Sequence, residues 1–179
     1  MTVRHVTEND AAIISEIYSY YVKNTSYSFE YDPPGADEML RRIRDTVKFY
    51  PYLVCEENGE ICGFAYAHRH RERKAYQWLC ELSVYVKHGF TGKGVARTLY
   101  EEIIPITKKQ KFLRAIAVVS TPNEASEAFH RKMGFKPVAV LPNMGYKFGA
   151  WHDLVYYELE LNEVTVGEDP AEPVPYFDL

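Results

Sequence analysis

Residues 76–103 constrain this chain more than any other stretch. YQWLCELSVYV (76–86) alternates with the period of two that marks a strand, while VARTLYEEI (95–103) carries apolar residues at helical spacing. Between them lies KHGFTGKG, in which three glycines and two lysines crowd into eight positions. A strand, a glycine turn and a helix in immediate succession make an α/β unit, and the rest of the chain is read outward from it.

The same switch between periods recurs on both sides. Residues 2–6 read as a short strand, and Thr7 with Asp10 as a capping box with an acid in the third position. Ile13, Ile17 and Tyr21 mark one amphipathic helix, and Met39, Leu40, Ile43 and Val47 a second. YLVCEENGEICGFAYAHR is a pair of apolar runs joined through Asn-Gly, a strong hairpin signal. After the glycine segment a helix is expected to kink or end at Pro105. FLRAIAVV reads as a buried strand, and Thr121-Pro-Asn-Glu124 as a helix start with Thr at the cap and Gly134 as the stop. Two last strands near 135–141 and 151–161 complete the order βααβββαβαββ. The expected fold is therefore α/β, a mixed and mostly antiparallel sheet flanked by helices.

At 179 residues with 46% hydrophobic residues, one domain is expected over 1–161. An acidic, proline-bearing tail over 162–179 is expected to be extended or mobile. Its five acids, with no base among them, outweigh the formal net charge of −4 and leave the rest at +1. That balance gives no reason to expect a nucleic-acid partner. No apolar run of membrane-spanning length and no signal-peptide core is present, so no membrane partner and a cytoplasmic location are expected. Cys55, Cys62 and Cys80 are odd in number and lack a CxxC, which reads as buried thiols. His68 and His70 make an HxH pair without a nearby third ligand, so no metal is expected.

The glycine segment admits two readings, a plain strand-to-helix turn or a seat for a diphosphate. Unpaired N–H groups and the helix dipole converge at such a point, and Lys93 and Arg97 add formal charge. The nucleoside-triphosphate loop fails because Gly94 follows Lys93 where Ser or Thr is required. The dinucleotide fingerprint fails because Arg97 stands where a small residue is required.

Thr91-Gly-Lys-Gly94-Val-Ala96, set between a strand and a helix, resembles the [Q/R]xxGx[G/A] acetyl-CoA signature of the GNAT N-acetyltransferase superfamily, with Thr91 in place of Gln or Arg. NEASEAFHRKMGF (123–135) resembles the second CoA-contacting helix of that family. AYAHRHRERKAYQWLCELSVYV, YPYLVCEENGEICGFAYA and GYKFGAWHDLVYYELEL are similar to the phosphinothricin and methionine-sulfoximine acetyltransferase branch. The likeness runs from about residue 2 to 161.

That resemblance implies the GNAT fold, acetyl-CoA as co-substrate, no metal, a homodimer with the last strands near its interface, and direct transfer of acetyl to the α-amine of a small amino-acid-like acceptor. Other implied possibilities are a GNAT enzyme for another amine (a protein N-terminus or a polyamine) and a non-catalytic CoA-binding sensor. By the same resemblance Val84, Tyr85 and Val86 act through their backbone on the thioester and pantetheine. Gly92, Lys93, Gly94, Val95, Ala96 and Arg97 hold the diphosphate, and Asn123 contacts CoA. His130 stands where the family places the proton donor to the thiolate. Arg73 and Tyr76 match the positions that hold the acceptor's acid groups, and Phe29 and Ser83 line its pocket. Glu81 interrupts an apolar strand and shares a face with Ser83 and Tyr85, which makes it the candidate general base. Trp151-His152-Asp153 lacks an activated nucleophile, so His152 reads as a packing or interface residue. The branch usually carries His where Phe148 stands.

Overall fold

A computed structural model describes residues 1–179. The elements run β1 (Thr2–His5), α1 (Ala11–Asn24), α2 (Ala36–Thr46), β2 (Tyr52–Glu57), β3 (Glu60–Arg69), β4 (Leu79–Val86), α3 (Val95–Lys109), β5 (Arg114–Thr121), α4 (Glu124–Lys132), β6 (Lys136–Lys147) and β7 (Ala150–Glu160). Their order is the expected one. The strands form one sheet in the order β1-β2-β3-β4-β5-β7-β6, in which only β4 and β5 are parallel.

Alternation along β2 explains the layering. Leu53 and Cys55 pack on one face with Leu99, Ile103 and Phe112, beneath α3. Tyr52 and Val54 pack on the other with Ile14, Ile17, Met39 and Ile43, beneath α1 and α2. A strand covered on both faces reads as a continuous apolar run, as YLVC does. Asn58 and Gly59 both adopt positive φ, 53° and 80°, as a tight β2–β3 hairpin turn requires.

One expectation is corrected, the cap of α4, and two are narrowed. α3 continues through Pro105 to Lys109 because Leu99, Ile103 and Thr107 remain buried along its inner face. The cap of α4 is Asn123, whose Oδ1 accepts from the Ser126 N–H at 3.2 Å, while Thr121 belongs to β5. The tail is tied down: Val174 N–H donates to the Gln110 carbonyl at 3.0 Å, Tyr176 N–H to the Phe49 carbonyl at 3.1 Å, and the Trp78 indole N–H to the Ala171 carbonyl at 2.9 Å. No helix is long and apolar enough to cross a membrane.

The parallel pair positions the site. β4 and β5 pair only at Leu79↔Arg114, Cys80↔Ala115 and Glu81↔Ile116, then diverge. Glu81 stands at the fork, and the gap beyond it opens into a cleft.

Candidate active site

The cleft has a volume of about 1010 Å³ and runs from the glycine turn past Val84 and Ser120 to His130. At its mouth, Gly92 and Gly94 have φ of 78° and 89°, left-handed values that glycine alone adopts without strain. Gly94 is the N-cap of α3. The backbone N–H groups of Gly92, Gly94, Val95, Ala96 and Arg97 take no backbone acceptor. A left-handed turn thus aims a fan of free donors and the positive end of a 15-residue helix at one point, an arrangement that fits a diphosphate. Lys93 lies over the Phe90 ring at 4.7 Å, and Arg97 pairs with Glu101 at 2.7 Å, so the nearby formal charges are partly engaged. Asn123 lines the opposite wall of the cleft while capping α4.

Along β4 the backbone alternates between neighbours. Lys87 N–H donates to the Cys62 carbonyl at 2.8 Å, and Phe64 stands opposite Tyr85 in the same antiparallel ladder. Tyr85 therefore turns its backbone to β3, and Val84 and Val86 turn theirs to the cleft. The expectation that Tyr85 presents backbone to the cleft is corrected on this ground; its ring packs against Tyr18, Tyr21 and Phe64 on the far face. Val86 is held by Tyr21, whose hydroxyl donates to the Val86 carbonyl at 2.6 Å and accepts from its N–H at 3.2 Å. Val84 carries no such contact.

Glu81 points to the α1/α2 side of the sheet with Ser83, as alternation required. Its carboxylate is not alone. His70 Nδ1 lies 3.0 Å from Oε2, and His68 Nε2 lies 3.8 Å from Oε1. His68 stands directly opposite Glu81 in the β3–β4 register; period-two counting along β3 gives its face, and only the pairing gives its partner. His70 lies past the end of β3, and no strand period gives its position.

His130 lies inside rather than on a polar helix face, with 4% of its surface exposed. The rings of Tyr100, Phe129, Phe135 and Tyr157 surround it at 5.1–5.8 Å. Burial pushes its pKa below the ordinary histidine value, with the Ser126 carbonyl pulling the other way. Nδ1 donates to that carbonyl at 2.8 Å, which leaves Nε2 to accept from the Tyr100 hydroxyl at 3.2 Å.

Phe29 reaches the β6–β7 hairpin. A Cβ on Gly145 would overlap its ring, so the glycine makes room for it. The loop bearing Phe29 is pinned by Lys147, 2% exposed, which donates to the Val22 carbonyl at 2.7 Å and the Ser28 carbonyl at 2.6 Å. Tyr31 adds a bond to the Tyr146 carbonyl. Arg73 and Tyr76 are exposed on the 70–78 loop and line neither the cleft nor the pocket beneath α2, so the structure does not gather them with Glu81. His152 makes no triad: its Nε2 faces the Lys147 carbonyl at 3.1 Å, and Asp153 accepts from the Asn143 N–H at 2.8 Å. Tyr21, His70, Tyr100 and Lys147 are the site residues that sequence reading missed. For Lys147 the only signal is a lone base beside a hairpin glycine.

A free-donor turn before a helix, a fork between two parallel strands and a carboxylate at the fork can be compared with known proteins. The profile of the acetyltransferase (GNAT) domain matches residues 3–156. The chain belongs to the GNAT acetyltransferase family. A phosphinothricin N-acetyltransferase of Alcaligenes faecalis is 38% identical over 163 residues, 90% of this chain and 83% of that protein. An L-methionine sulfoximine/L-methionine sulfone acetyltransferase of Salmonella typhimurium is 33% identical over 91% of this chain and 96% of its own length. Among solved structures, a phosphinothricin acetyltransferase of Sinorhizobium meliloti in complex with acetyl-CoA superposes with a TM-score of 0.90 at 32% identity, covering 98% of this chain and 97% of that one. This GNAT chain is an acetyl-CoA-dependent N-acetyltransferase.

Proposed function

We propose that this GNAT enzyme acetylates the α-amine of a small, acidic amino-acid-like acceptor of the phosphinothricin or methionine-sulfoximine type. The observation that carries the reading is Glu81, a carboxylate at the fork of β4 and β5 on the face opposite α3. The relatives' acceptors support the chemical class, and the setting of Glu81 among His68, His70 and Ser83 suits an anionic acceptor better than a polycation.

In this mechanism the α3 turn, Gly92 to Arg97, and Asn123 hold the phosphates. The Val84 N–H, open to the cleft, polarises the thioester carbonyl and stabilises the tetrahedral oxyanion. Val86 receives the pantetheine arm when Tyr21 releases it. Glu81 removes a proton from the acceptor's ammonium so that the free amine attacks. Expulsion of the thiolate calls for a proton, which we assign to the Tyr100 hydroxyl held against a neutral His130; the tyrosinate regains one from the second N–H that the tetrahedral intermediate loses as the amide forms. Phe29 and Ser83 wall the acceptor, and Arg73 and Tyr76 reach it if the 70–78 loop folds inward.

The test is thiol release from acetyl-CoA with a panel of amino-acid analogues. Glu81→Gln is expected to lower kcat/KM by ~10²-fold or more, the scale of general-base catalysis, with acetyl-CoA affinity unchanged. Wild-type kinetics in that variant would remove Glu81 from the reaction. The free thiols and the use of acetyl-CoA support a cytoplasmic location, and the exposed β6–β7 hairpin supports a homodimer.

A further inference from the structure

The acetyl transfer leaves a proton to be disposed of. An ammonium carries three hydrogens and the product amide keeps one. One passes to the departing thiolate, and one must reach solvent in every turnover. Glu81 can take that proton from nitrogen but must then lose it while co-substrate and acceptor occupy the fork beside it.

The two histidines beside Glu81 have unlike hydrogen bonds. His70 Nδ1 faces Oε2 at 3.0 Å, and an ionised carboxylate only accepts, so Nδ1 carries the hydrogen and donates. This fixes one oxygen and leaves Oε1 as the basic one. His68 Nδ1 lies 3.1 Å from the Arg69 carbonyl, which also only accepts. The neutral His68 ring is thereby held in the tautomer whose Nε2 bears a lone pair, and that nitrogen is the one 3.8 Å from Oε1. At that separation a single water or a small ring rotation completes the contact. Beyond His68 lies a pocket of about 290 Å³ between α2 and the sheet, lined by Arg42, Asp45, Tyr52 and Tyr66 as well. It is polar on one side and roomy enough for water. The His68 side chain is itself 36% exposed.

We propose that His70 and His68 form a proton exit for Glu81, the first as a positioning residue and the second as the group that unloads the carboxyl. The acceptor's N–H bond breaks as an O–H bond forms on Oε1. That O–H bond then breaks as an N–H bond forms on His68 Nε2, giving an imidazolium. The ring then turns, its Nε2–H bond breaks to water in the α2 pocket, and the starting tautomer, with its hydrogen on Nδ1, is restored. Both residues act through Glu81, and neither touches the acceptor. The proposal rests on Glu81 as the base of the acetyl transfer.

The experiment measures thiol release at saturating acetyl-CoA in dilute, non-nucleophilic buffer. His68→Ala is expected to lower kcat by about tenfold, short of the loss expected on removing the base itself, with KM for acetyl-CoA unchanged. Added imidazole is expected to restore the rate in proportion to its concentration, which a merely structural role would not allow. His68→Gln should behave alike, which guards against a folding defect in one variant. His70→Asn keeps a donor near Oε2 and should retain most activity, whereas His70→Ala should not. Wild-type kcat in both His68 variants, or a loss that imidazole leaves untouched, overturns the exit while the acetyl-transfer reading stands. A wild-type enzyme that releases no thiol with any amino-acid amine overturns both.

Discussion

Enclosing His130 among four aromatic rings sets its charge before it sets its chemistry. The unfolded imidazole titrates near ~6.5, and the folded one lower, so between the two values the unfolded chain holds more protons than the native one. The stability that neutral His130 contributes is therefore complete above the unfolded value and lost as pH falls through that window. Melting temperatures of the wild type and His130→Phe, compared from pH ~8 to ~5, should converge toward the acid end. Curves that stay parallel would mean that His130 titrates like a solvated histidine. The same neutrality leaves Nε2 an acceptor, which agrees with the proposal that the thiolate's proton comes from the Tyr100 phenol. Nothing in the spacing of NEASEAFHRKMGF announces this, because a polar helix face and an aromatic-lined interior are told apart only by what packs against α4. His70 and Lys147 are alike in this respect, since their partners lie 11 residues away in one case and more than 100 in the other.

At the scale of elements the sequence was far more explicit. Period changes place all eleven helices and strands in order, because two covered faces and one covered face leave different apolar patterns. What escaped was decided by tertiary packing. Pro105 removes one intrahelical bond, yet the buried stripe of Leu99, Ile103 and Thr107 carries α3 past it. The tail is expected to be extended or mobile because it is acidic and proline-bearing; it lacks regular structure up to its last turn, yet its backbone finds partners on Gln110 and Phe49. The glycine turn shows local sequence and site geometry in agreement. At φ 89° with open space where a Cβ would stand, Gly94 is required for its dihedral and not for room. Gly94→Ala should relax out of the left-handed turn in the free protein and regain it on binding only at a cost of ~1–2 kcal/mol. The Kd for acetyl-CoA measured by calorimetry should therefore rise by about tenfold, while the melting temperature stays within a few degrees. Unaltered affinity would reduce the segment to a connector.

At the scale of the whole molecule, the sheet is closed on one side and open on the other. β1, at one edge, is a strand of only four residues, and Tyr176 of the tail stacks on its His5. β6, at the opposite edge, is a 12-residue strand exposed along most of its length. Val138, Val140, Met144, Tyr146, Phe148 and Trp151 are each 49–62% exposed on it and its hairpin partner. An uncovered apolar edge of that length invites pairing or aggregation in a chain that lives alone. A second copy is the partner that a symmetric pair of such edges fits, and Phe148, at the hairpin tip with φ 51°, would then lie within the interface. Light scattering should give twice the mass of one chain at micromolar concentration. Val140→Glu with Trp151→Ser should halve it without loss of secondary structure. The inner side of the same hairpin seats Phe29 on Gly145 and anchors its loop through Lys147. A dimer would thus stiffen one wall of the acceptor pocket, and the monomeric variant should show a raised KM for the acceptor with that for acetyl-CoA unchanged. A wild-type chain that stays monomeric across the concentration range would leave this edge without its proposed cover and the pocket wall to stand by its own contacts.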